Sequence, residues 1–284
     1  MSTIAERVAS ARLQLLAAGL SAAEADTSAR VLAEHLLGWS RERFLADARS
    51  AEPAEFASHY AAAVARRAAR EPLPYITGTR EFWGLSLGVT PDVLIPRPET
   101  ELIVEAALEL FPERNAAFTM ADVCTGSGCV AIAVAVERPH ASIVATDISE
   151  RALGIARLNA GRHDVASRIR LLRTDLLKSV GSEFDLIVAN PPYVRAIDRA
   201  GLQPEVRVEP DVALFGGDDG LENIRRLIEQ APACMRPAAH LVFEFGFGQE
   251  LDVERLISET PALTLLGLRR DLQGIARTAV ARRR

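Results

Sequence analysis

The residues with the clearest chemical potential are Asn190, Pro191, Pro192 and Tyr193, which follow the short apolar run Phe184–Ala189 directly. That run is rich in strand formers, and the prolines end it because proline has no N–H to donate. Asn190 precedes a proline, so its backbone favours an extended conformation. Its side-chain oxygen and the Pro191 carbonyl can each accept one N–H, and Tyr193 can lie against a flat group. The stretch therefore predicts a strand end that orients a planar NH2 group and favours the positive charge that develops on its nitrogen during attack.

The simpler interpretation of residues 190–193 is a structural loop with a proline pair and a buried tyrosine. A second motif in the chain favours a functional interpretation over this one. The run from Gly126 to Ala131 fits the pattern G-x-G-x-x-A, and Asp147 follows at the end of the next predicted strand. This spacing of about twenty residues is also the dinucleotide fingerprint, in which glycines allow close backbone approach and a carboxylate binds a ribose diol. S-adenosylmethionine needs the same two features. The loop alone therefore does not separate NAD from S-adenosylmethionine.

Three features favour S-adenosylmethionine. Asp122 directly precedes the loop, where a carboxylate suits a ligand with an ammonium and a sulfonium, whereas a pyrophosphate would favour positive surroundings. Asp175 lies just after the third predicted strand, where it can meet an adenine amino group. The stretch from Asn190 to Tyr193 has no role in hydride transfer. For Asp122 or Asp175 taken alone, a role in a helix cap or a turn is about as good an explanation as cofactor binding. It is a weaker explanation for both together, because they lie at the ends of predicted strands.

The elements that must position these motifs alternate between strand and helix. Predicted strands cover residues 120–123, 142–146, 168–172, 185–189, 240–245, 263–268 and 276–281. Predicted helices cover residues 129–137, 150–160 and 219–233. This alternation predicts an α/β fold with a doubly wound, mostly parallel sheet of seven strands. Ligands bind such sheets outside the carboxyl ends of the strands, where both motifs lie.

The chain before this region predicts a different architecture. Apolar residues recur at helical spacing from Ile4 onward, and Ser21 with Glu24 forms a capping-box pattern, so residues 1–72 predict a small helical bundle. Prolines and glycines then punctuate strand-like pieces, and we predict a β-hairpin over 75–90 within a linker at 73–92. Residues 93–284 form the α/β domain. We expect a solvated helix face, with a docking surface as the alternative, for the arginines of the bundle: Arg41, Arg43, Arg66, Arg67 and Arg70.

Composition narrows the functional classes further. The chain has 284 residues and a net charge of −5, so it carries no overall basic footprint for nucleic acid. Cys124, Cys129 and Cys234 form no disulfide framework, which indicates a reducing compartment, and no nearby histidine completes a zinc site. No stretch reaches transmembrane length, and the first residues lack a signal-peptide pattern. We therefore expect a cytoplasmic protein without a bound metal and without contact to a membrane.

Longer motifs along the whole chain resemble the HemK/PrmC family of protein-(glutamine-N5) methyltransferases. The element from Asn190 to Tyr193 is shared with adenine, cytosine and guanine N-methyltransferases, so the hairpin and the stretch from Ile95 to Thr100 carry most of the discrimination. Cys124 stands where the family usually has glycine, near the expected methionine end of the cofactor, where a small side chain should be tolerated. The matching segments are residues 74–78, 80–83, 95–100, 122–128, 190–193, 205–206, 209–210, 213–214, 216–217, 219–220 and 271–274.

The resemblance implies a class I S-adenosylmethionine-dependent methyltransferase fold with S-adenosylmethionine as cofactor. It implies that residues 1–72 dock class 1 peptide chain release factors and that residues 93–284 methylate N5 of the glutamine in their Gly-Gly-Gln motif. We expect a monomer with no direct nucleic-acid contact.

The resemblance also implies a set of site residues. Asn190, Pro191, Pro192 and Tyr193 would bind the substrate amide, with Asn190, Pro191 and Tyr193 as the catalytic group. Arg97, Glu99 and Thr100 would line the mouth of the site, although a salt bridge from Arg97 to Glu99 or another neighbour is the simpler alternative. The implied cofactor-binding residues are Asp122, Cys124, Thr125, Gly126, Ser127, Gly128, Asp147, Asp175, Leu176 and Asn190.

Two alternatives stay open at this point. A nucleic-acid methyltransferase acting on adenine N6, cytosine N4 or guanine N2 would use the same tetrapeptide, but it predicts a basic recognition region that the sequence lacks. The other alternative is a catalytically idle module that binds S-adenosylmethionine and docks on a partner. The presence of Asn190 argues against it, because an idle site has no need of that side chain.

Overall fold

The computed structural model describes residues 2–181 and 183–284, which divide into two compact units. The first is helical; it runs to Thr79 and includes the distant segment Gln203–Val208. The second is built on a sheet and consists of Arg80–Leu202 and Glu209–Arg284. Of the helices formed by the described residues, none is long and apolar enough to cross a membrane.

The helical unit is ordered by strong end signals. Thr3 and Ser21 each form a capping box with a glutamate three residues later, and Gly38 ends the second helix in a left-handed conformation at φ 61°. Tyr60 lies in the core and donates a hydrogen bond to the Ala29 carbonyl at 2.7 Å. The helices are α1 Ile4–Ala17, α2 Ala22–Leu37, α3 Arg41–Asp47, α4 Phe56–Ala68 and α5 Leu73–Thr77.

The prediction of a hairpin over 75–90 was too long at its start. Leu73–Thr77 is a helix, and the two strands that follow are short: β1 Thr79–Phe82 and β2 Leu85–Gly88. Pro74 lies in the first turn of α5, where its missing N–H costs nothing, and Gly78 ends the helix at φ 72°. The sequence predicts turns at this proline and glycine, whereas in the structure the two residues begin and end one helical turn.

The prediction of a solvated arginine face is wrong for Arg67. This residue is 4% exposed, and its Nη1 donates to Glu205 Oε1 at 2.8 Å. Arg70 Nη2 donates to the other oxygen, Glu205 Oε2, at 2.9 Å. Two arginines on one carboxylate therefore hold the segment Gln203–Val208 within the helical unit, because a buried guanidinium needs a charged partner.

The second unit contains the predicted seven-stranded, mostly parallel sheet, which the structure confirms. Its strand order is β5-β4-β3-β6-β7-β9-β8, and only the pairs of β9 with β7 and with β8 are antiparallel. The strands are β3 Thr119–Val123, β4 Ser142–Asp147, β5 Ile169–Arg173, β6 Phe184–Ala189, β7 Met235–Glu244, β8 Leu263–Arg270 and β9 Ala276–Arg283. The helices are α6 Glu101–Leu110, α7 Cys129–Glu137, α8 Glu150–Arg162, α9 Asp211–Leu214, α10 Glu222–Cys234 and α11 Glu250–Ser258.

The hairpin of β1 and β2 belongs to this sheet unit. Phe82 and Leu87 are buried in the same apolar core as α6 and α7. Asn159 on α8 is 1% exposed, and it joins the hairpin to the loop after β3. Its Oδ1 accepts from Gly88 N at 2.7 Å, while its Nδ2 donates to the carbonyls of Gly88 and Ser127, each at 2.9 Å. The hairpin therefore stabilises the loop that carries the glycine motif.

Candidate active site

A cleft of about 320 Å³ opens at the carboxyl ends of β3, β4, β5 and β6. This is where an open α/β sheet is expected to bind ligands. Gly128, Pro191, Tyr193 and Glu99 are absent from its lining. The predicted site residues that do line it are Arg97, Thr100, Asp122, Cys124, Thr125, Gly126, Ser127, Asp147, Asp175, Leu176, Asn190 and Pro192.

Asp122 holds the loop after β3 in shape. Its Oδ2 accepts from Thr125 Oγ1 at 2.6 Å and from the N–H of Ala131, in the first turn of α7, at 3.2 Å. Burial raises the pKa of this carboxyl to about 7, against the lowering effect of the two hydrogen bonds. Asp122 thus has a structural contact as well as a place in the lining, and its charge changes near neutral pH.

The glycine loop needs glycine for close packing at Gly128. The residue has φ 83°, and a Cβ there would lie 3.0 Å from Ile132 Cδ1 and 3.2 Å from Ala156 Cβ. Gly128 therefore shapes the loop from behind the cleft. Cys124 is left-handed as well, at φ 60°, a conformation that glycine adopts more readily than a residue with a Cβ.

Asp147 closes the loop from the neighbouring strand. Its Oδ2 accepts from Gly126 N and its Oδ1 from Ser149 N, each at 2.9 Å. Burial raises the pKa of this carboxyl, and the backbone hydrogen bonds oppose that shift. The side chain joins the ends of β3 and β4 and presents a carboxylate to the cleft.

Asp175 differs from the other two aspartates because it is paired with cations. Lys178 Nζ lies 2.8 Å from its Oδ2, and Arg226 also pairs with it. The hydrogen bond from Lys178 is the main reason that the pKa of Asp175 is lowered. The next residue, Leu176, is buried with φ 54° and directs its carbonyl to Thr146 Oγ1 at 3.1 Å.

Asn190 is held by a chain of hydrogen bonds across three segments. Its Nδ2 donates to Thr100 Oγ1 at 3.1 Å, and Thr100 Oγ1 donates to Glu244 Oε2 at 2.7 Å. The Tyr193 hydroxyl donates to the other oxygen, Glu244 Oε1, at 2.8 Å. Fixing Nδ2 also fixes the direction of Asn190 Oδ1. The predicted amide-binding residue is thus oriented by a buried acid.

Sequence reasoning missed Glu244. It is 1% exposed and ends β7, next to β6 in the sheet, so its position follows from strand order. A signal was present, because a single acid interrupts the apolar run from Leu241 to Phe245 at the carboxyl end of a predicted strand. An unpaired acid in such a place indicates either a strand error or a functional site.

Arg97 combines the two arrangements considered from the sequence, a place at the cleft and a salt bridge to an acid. It lines the cleft and forms an ion pair with Glu209, not with Glu99. Glu209 is 3% exposed, and its other oxygen accepts from Ile95 N at 3.0 Å. Glu209 was also missed as a site residue, although the segment around it matched the family. It fixes the position of Arg97 beside the cleft.

Two family models match separate parts of the chain. The model described as PrmC N-terminal domain matches residues 6–78, and the model described as Methyltransferase small domain matches residues 101–203. The first range falls on the helical unit, and the second includes the strands that carry Asp122, Asp147 and Asn190.

Curated relatives match over nearly the whole chain. The release factor glutamine methyltransferase of Cereibacter sphaeroides is 42% identical over 271 residues, which is 95% of this chain and 94% of that protein. The release factor glutamine methyltransferase of Bradyrhizobium diazoefficiens is 38% identical over 284 residues, covering 99% and 93%.

Among solved structures, the catalytic domain of hMettl16, in complex with MAT2A 3′UTR hairpin 6, matches with a TM-score of 0.57 and 18% identity. The match covers 77% of this chain and 81% of that one. At this identity the likeness concerns the fold.

Proposed function

The chain belongs to the release factor glutamine methyltransferase family, and we propose that it methylates N5 of the glutamine in the Gly-Gly-Gln motif of class 1 release factors, with S-adenosylmethionine as methyl donor. The observation that carries this proposal is the fixed Asn190 amide at the end of β6, inside the cleft. A side-chain amide nitrogen is a poor nucleophile because its lone pair is delocalised. Orientation and charge stabilisation are therefore what the protein must supply.

The charges of the cleft suit a cationic cofactor. Both arginines of its described lining are paired with carboxylates, Arg97 with Glu209 and Arg226 with Asp175. The carboxylates of Asp122 and Asp147 have hydroxyl and backbone partners in place of cations. An ammonium and a sulfonium fit these surroundings better than a pyrophosphate does.

The buried polar atoms of the lining agree with this assignment. Ser127 is 2% exposed, and its Oγ is paired with no nitrogen or oxygen atom of the described residues; only the Cys129 thiol, a weak hydrogen-bonding group, acts on it. Buried hydroxyls are normally paired, so a polar group of a ligand would complete it. We assign the nucleoside end of the cofactor to Asp147, Asp175 and Leu176, and the methionine end to the loop 122–128. When bound, S-adenosylmethionine supplies an activated methyl group.

The acceptor side positions the substrate amide. Asn190 Oδ1 accepts one N–H of the glutamine NH2 group, and the carbonyl of Pro191, which stands in the chain between the lining residues Asn190 and Pro192, accepts the other. These two contacts hold the nitrogen and favour the positive charge that grows on it. The proton leaves after the nitrogen has become cationic, so no strong base is needed beforehand. Pro192 and Tyr193 keep this rim stiff, and the Tyr193 hydroxyl is held by Glu244. Thr100 and Arg97 border the same opening, whereas Glu99 is absent from its lining.

The helical unit is assigned to docking of the release factor, as its match to the PrmC N-terminal domain supports. The fragment starting at Thr79 tests this assignment, because it keeps both strands of the hairpin that packs in the core of the sheet unit. We expect it to bind S-adenosylmethionine and to lose most kcat/KM for intact release factor, since remote contacts bring the amide into place. Methylation at the full-length rate by a folded fragment would contradict the docking role.

One labelling experiment tests the main proposal. The protein is incubated with methyl-labelled S-adenosylmethionine and, in separate reactions, with release factor, short duplex DNA and RNA. We expect label on the release factor alone, and on a glutamine in its Gly-Gly-Gln motif by mass spectrometry. A release factor with Gly-Gly-Glu in place of Gly-Gly-Gln is the matched control. Label on DNA or RNA instead would support the nucleic-acid alternative.

A further inference from the structure

Glu244 is buried in a way that the fold alone does not explain. A carboxylate has about four lone-pair positions, and Glu244 receives two hydroxyl donors, from Thr100 and Tyr193. The charged groups that act on it are Glu99, which raises its pKa, and Arg277, which lowers it and is itself paired with Asp271. A buried carboxylate without its own cation costs stability. The reason for a glutamate at position 244 must therefore be functional, because it is not the stability of the fold.

The directions of the hydrogen bonds from Asn190 through Thr100 to Glu244 depend on the charge of Glu244. An ionised carboxylate only accepts hydrogen bonds, so the Thr100 hydroxyl must donate its proton to Glu244. Thr100 Oγ1 is then left as an acceptor, and it pairs with the NH2 side of Asn190. If Glu244 were neutral, it could donate to Thr100, and Thr100 could donate to Asn190 Oδ1. That arrangement would turn the Asn190 amide over and present its NH2 group to the substrate.

The geometry points to Glu244 as a positioning residue: as a carboxylate it sets, through Thr100, which face of the Asn190 amide meets the substrate, and it holds the Tyr193 ring by its hydroxyl. The inference rests on the proposed function for its rate readout. Glu244 lies behind Thr100 and Tyr193 and is absent from the cleft lining, so it acts through these residues without touching the reacting atoms.

Glu244→Gln is the first test, because it keeps the size and removes the charge. We expect single-turnover methylation of release factor, at saturating cofactor and substrate, to slow by about 10–100-fold, which stays below the loss expected for deleting the Asn190 side chain. Affinity for S-adenosylmethionine should change less than twofold (about 0.4 kcal/mol). Thr100→Val should reproduce the slow rate, and Thr100→Ser, which keeps the hydroxyl, should restore it.

Two further readouts separate positioning from mere support of the fold. In the Asn190→Ala background, Glu244→Gln should slow methylation by much less than its effect of about 10–100-fold in the parent, because Asn190 is gone and only the contact with Tyr193 is left to lose; independent effects would multiply in full. Burial raises the pKa of Glu244, so the parent rate should fall as pH is lowered through that raised pKa, and the Gln variant should lack this limb. The groups that bear on this titration are Glu99, Tyr193 and Arg277.

A matched control is available on the neighbouring strand. Asp185, at the start of β6, also accepts a threonine hydroxyl, Thr119 Oγ1 at 2.9 Å, but it lies at the opposite end of the sheet from the cleft. Asp185→Asn should leave the methylation rate within twofold of the parent. An equal slowing in both variants would indicate a general effect of removing a carboxylate from the sheet and would overturn the inference.

A readout without substrate keeps this inference separate from the proposed function. The side-chain NH2 signals of Asn190 are assigned in a 15N spectrum by their loss in Asn190→Ala. We expect Glu244→Gln to shift them and Asp185→Asn to leave them unchanged. If the parent labels no release factor but these signals shift, the proposed function fails and the positioning role stands. If the parent is active and Glu244→Gln is equally fast with unshifted signals, the positioning role is refuted.

Discussion

The two halves of the cleft are built in different ways. On the cofactor side, the contacts that shape the loop are close in sequence: Asp122 binds the hydroxyl of Thr125, three residues on, and Asp147 binds the N–H of Gly126, 21 residues back. On the acceptor side, Asn190 and Thr100 are 90 residues apart, and Thr100 and Glu244 are 144 apart. The first half is a local motif, whereas the second is assembled by strand order.

This difference separates affinity from rate. In the proposed function, the cofactor side would offer carboxylates and backbone groups that bind a ligand before any reaction. The acceptor side would offer one oriented amide, whose contacts would strengthen as charge develops on the substrate nitrogen. Changes on the first side should therefore appear in the dissociation constant of S-adenosylmethionine. Changes on the second side should appear in the rate of methyl transfer.

The largest effect is expected for Asn190→Ala. Removing one of two acceptors should lower kcat by about 10²–10³-fold, as for the deletion of one preorganised group. The affinity for S-adenosylmethionine should change far less, because Asp147 and the glycine loop lie on the other side. Single-turnover methylation of release factor and calorimetric titration with the cofactor measure the two quantities. An Ala variant as fast as the parent would mean that Asn190 is only a turn residue.

Asn190→Asp sharpens this test. Aspartate keeps an oxygen of the same reach but loses the donor to Thr100, and its charge also attracts the sulfonium in the ground state. We expect a rate between those of the Ala variant and the parent. A rate equal to that of the parent would show that the Thr100 contact contributes nothing to orientation.

Asp147→Ala should give the next largest effect, which falls on the affinity for S-adenosylmethionine and not on the rate of methyl transfer. Loss of hydrogen bonds to a charged group should weaken S-adenosylmethionine binding by about 1.5–3 kcal/mol, a factor of about 10–150. The single-turnover rate at saturating cofactor should stay near that of the parent. NAD at the same concentrations should not bind the parent; tight NAD binding would overturn the cofactor assignment. Asp147→Asn, which keeps one acceptor, should fall between.

The same contrast explains what the sequence could predict. The strands, the glycine loop and the acids near the ends of β3, β4 and β5 follow from patterns a few residues long. Six of the seven strands lie within two residues of their predicted bounds, and β7 begins five residues before its predicted start. Asp147 could be identified as a candidate cofactor-binding residue because it ends a strand at a fixed distance from a glycine motif. Tyr193 could be identified as part of a tetrapeptide, but not as a donor to Glu244.

The acceptor side could not be predicted in full, because its partners meet only when β6 and β7 pair. Glu244 lies in an apolar strand with no neighbouring motif, and Glu209 reaches Arg97 over 112 residues. Asn159 is an ordinary helix residue in sequence, yet it bonds both the hairpin and the glycine loop. Leu73–Thr77 was missed for a local reason, since one helical turn between proline and glycine has too few residues for periodicity.

A smaller effect is expected from pH on the cofactor side. The ionised form of Asp122 binds Thr125 and Ala131 and favours a cation, and burial raises its pKa to about 7. Lowering the pH from about 8 to about 6 should protonate it and weaken S-adenosylmethionine binding about tenfold, since protons and cofactor compete for one site. Asp147, which also raises this pKa, faces it from β4. Asp122→Asn should bind weakly at both pH values. A pH-independent affinity in the parent would remove Asp122 from cofactor binding.

The smallest effect concerns the backbone of the glycine loop at Cys124. Its φ of 60° is left-handed, which costs a residue with a Cβ roughly 1–2 kcal/mol relative to glycine. Its side chain also packs against the apolar core, so the parent is a poor reference for strain alone.

The sharper comparison is between Cys124→Gly and Cys124→Ala, which share the loss of sulfur contacts. We expect the Gly variant to be about 1 kcal/mol more stable than the Ala variant in denaturant unfolding without cofactor. In the helix α7, Ala133→Gly should show the opposite sign, because glycine in a helix costs about 1 kcal/mol. If the Ala variant of Cys124 were the more stable one, the loop would carry no strain at this position.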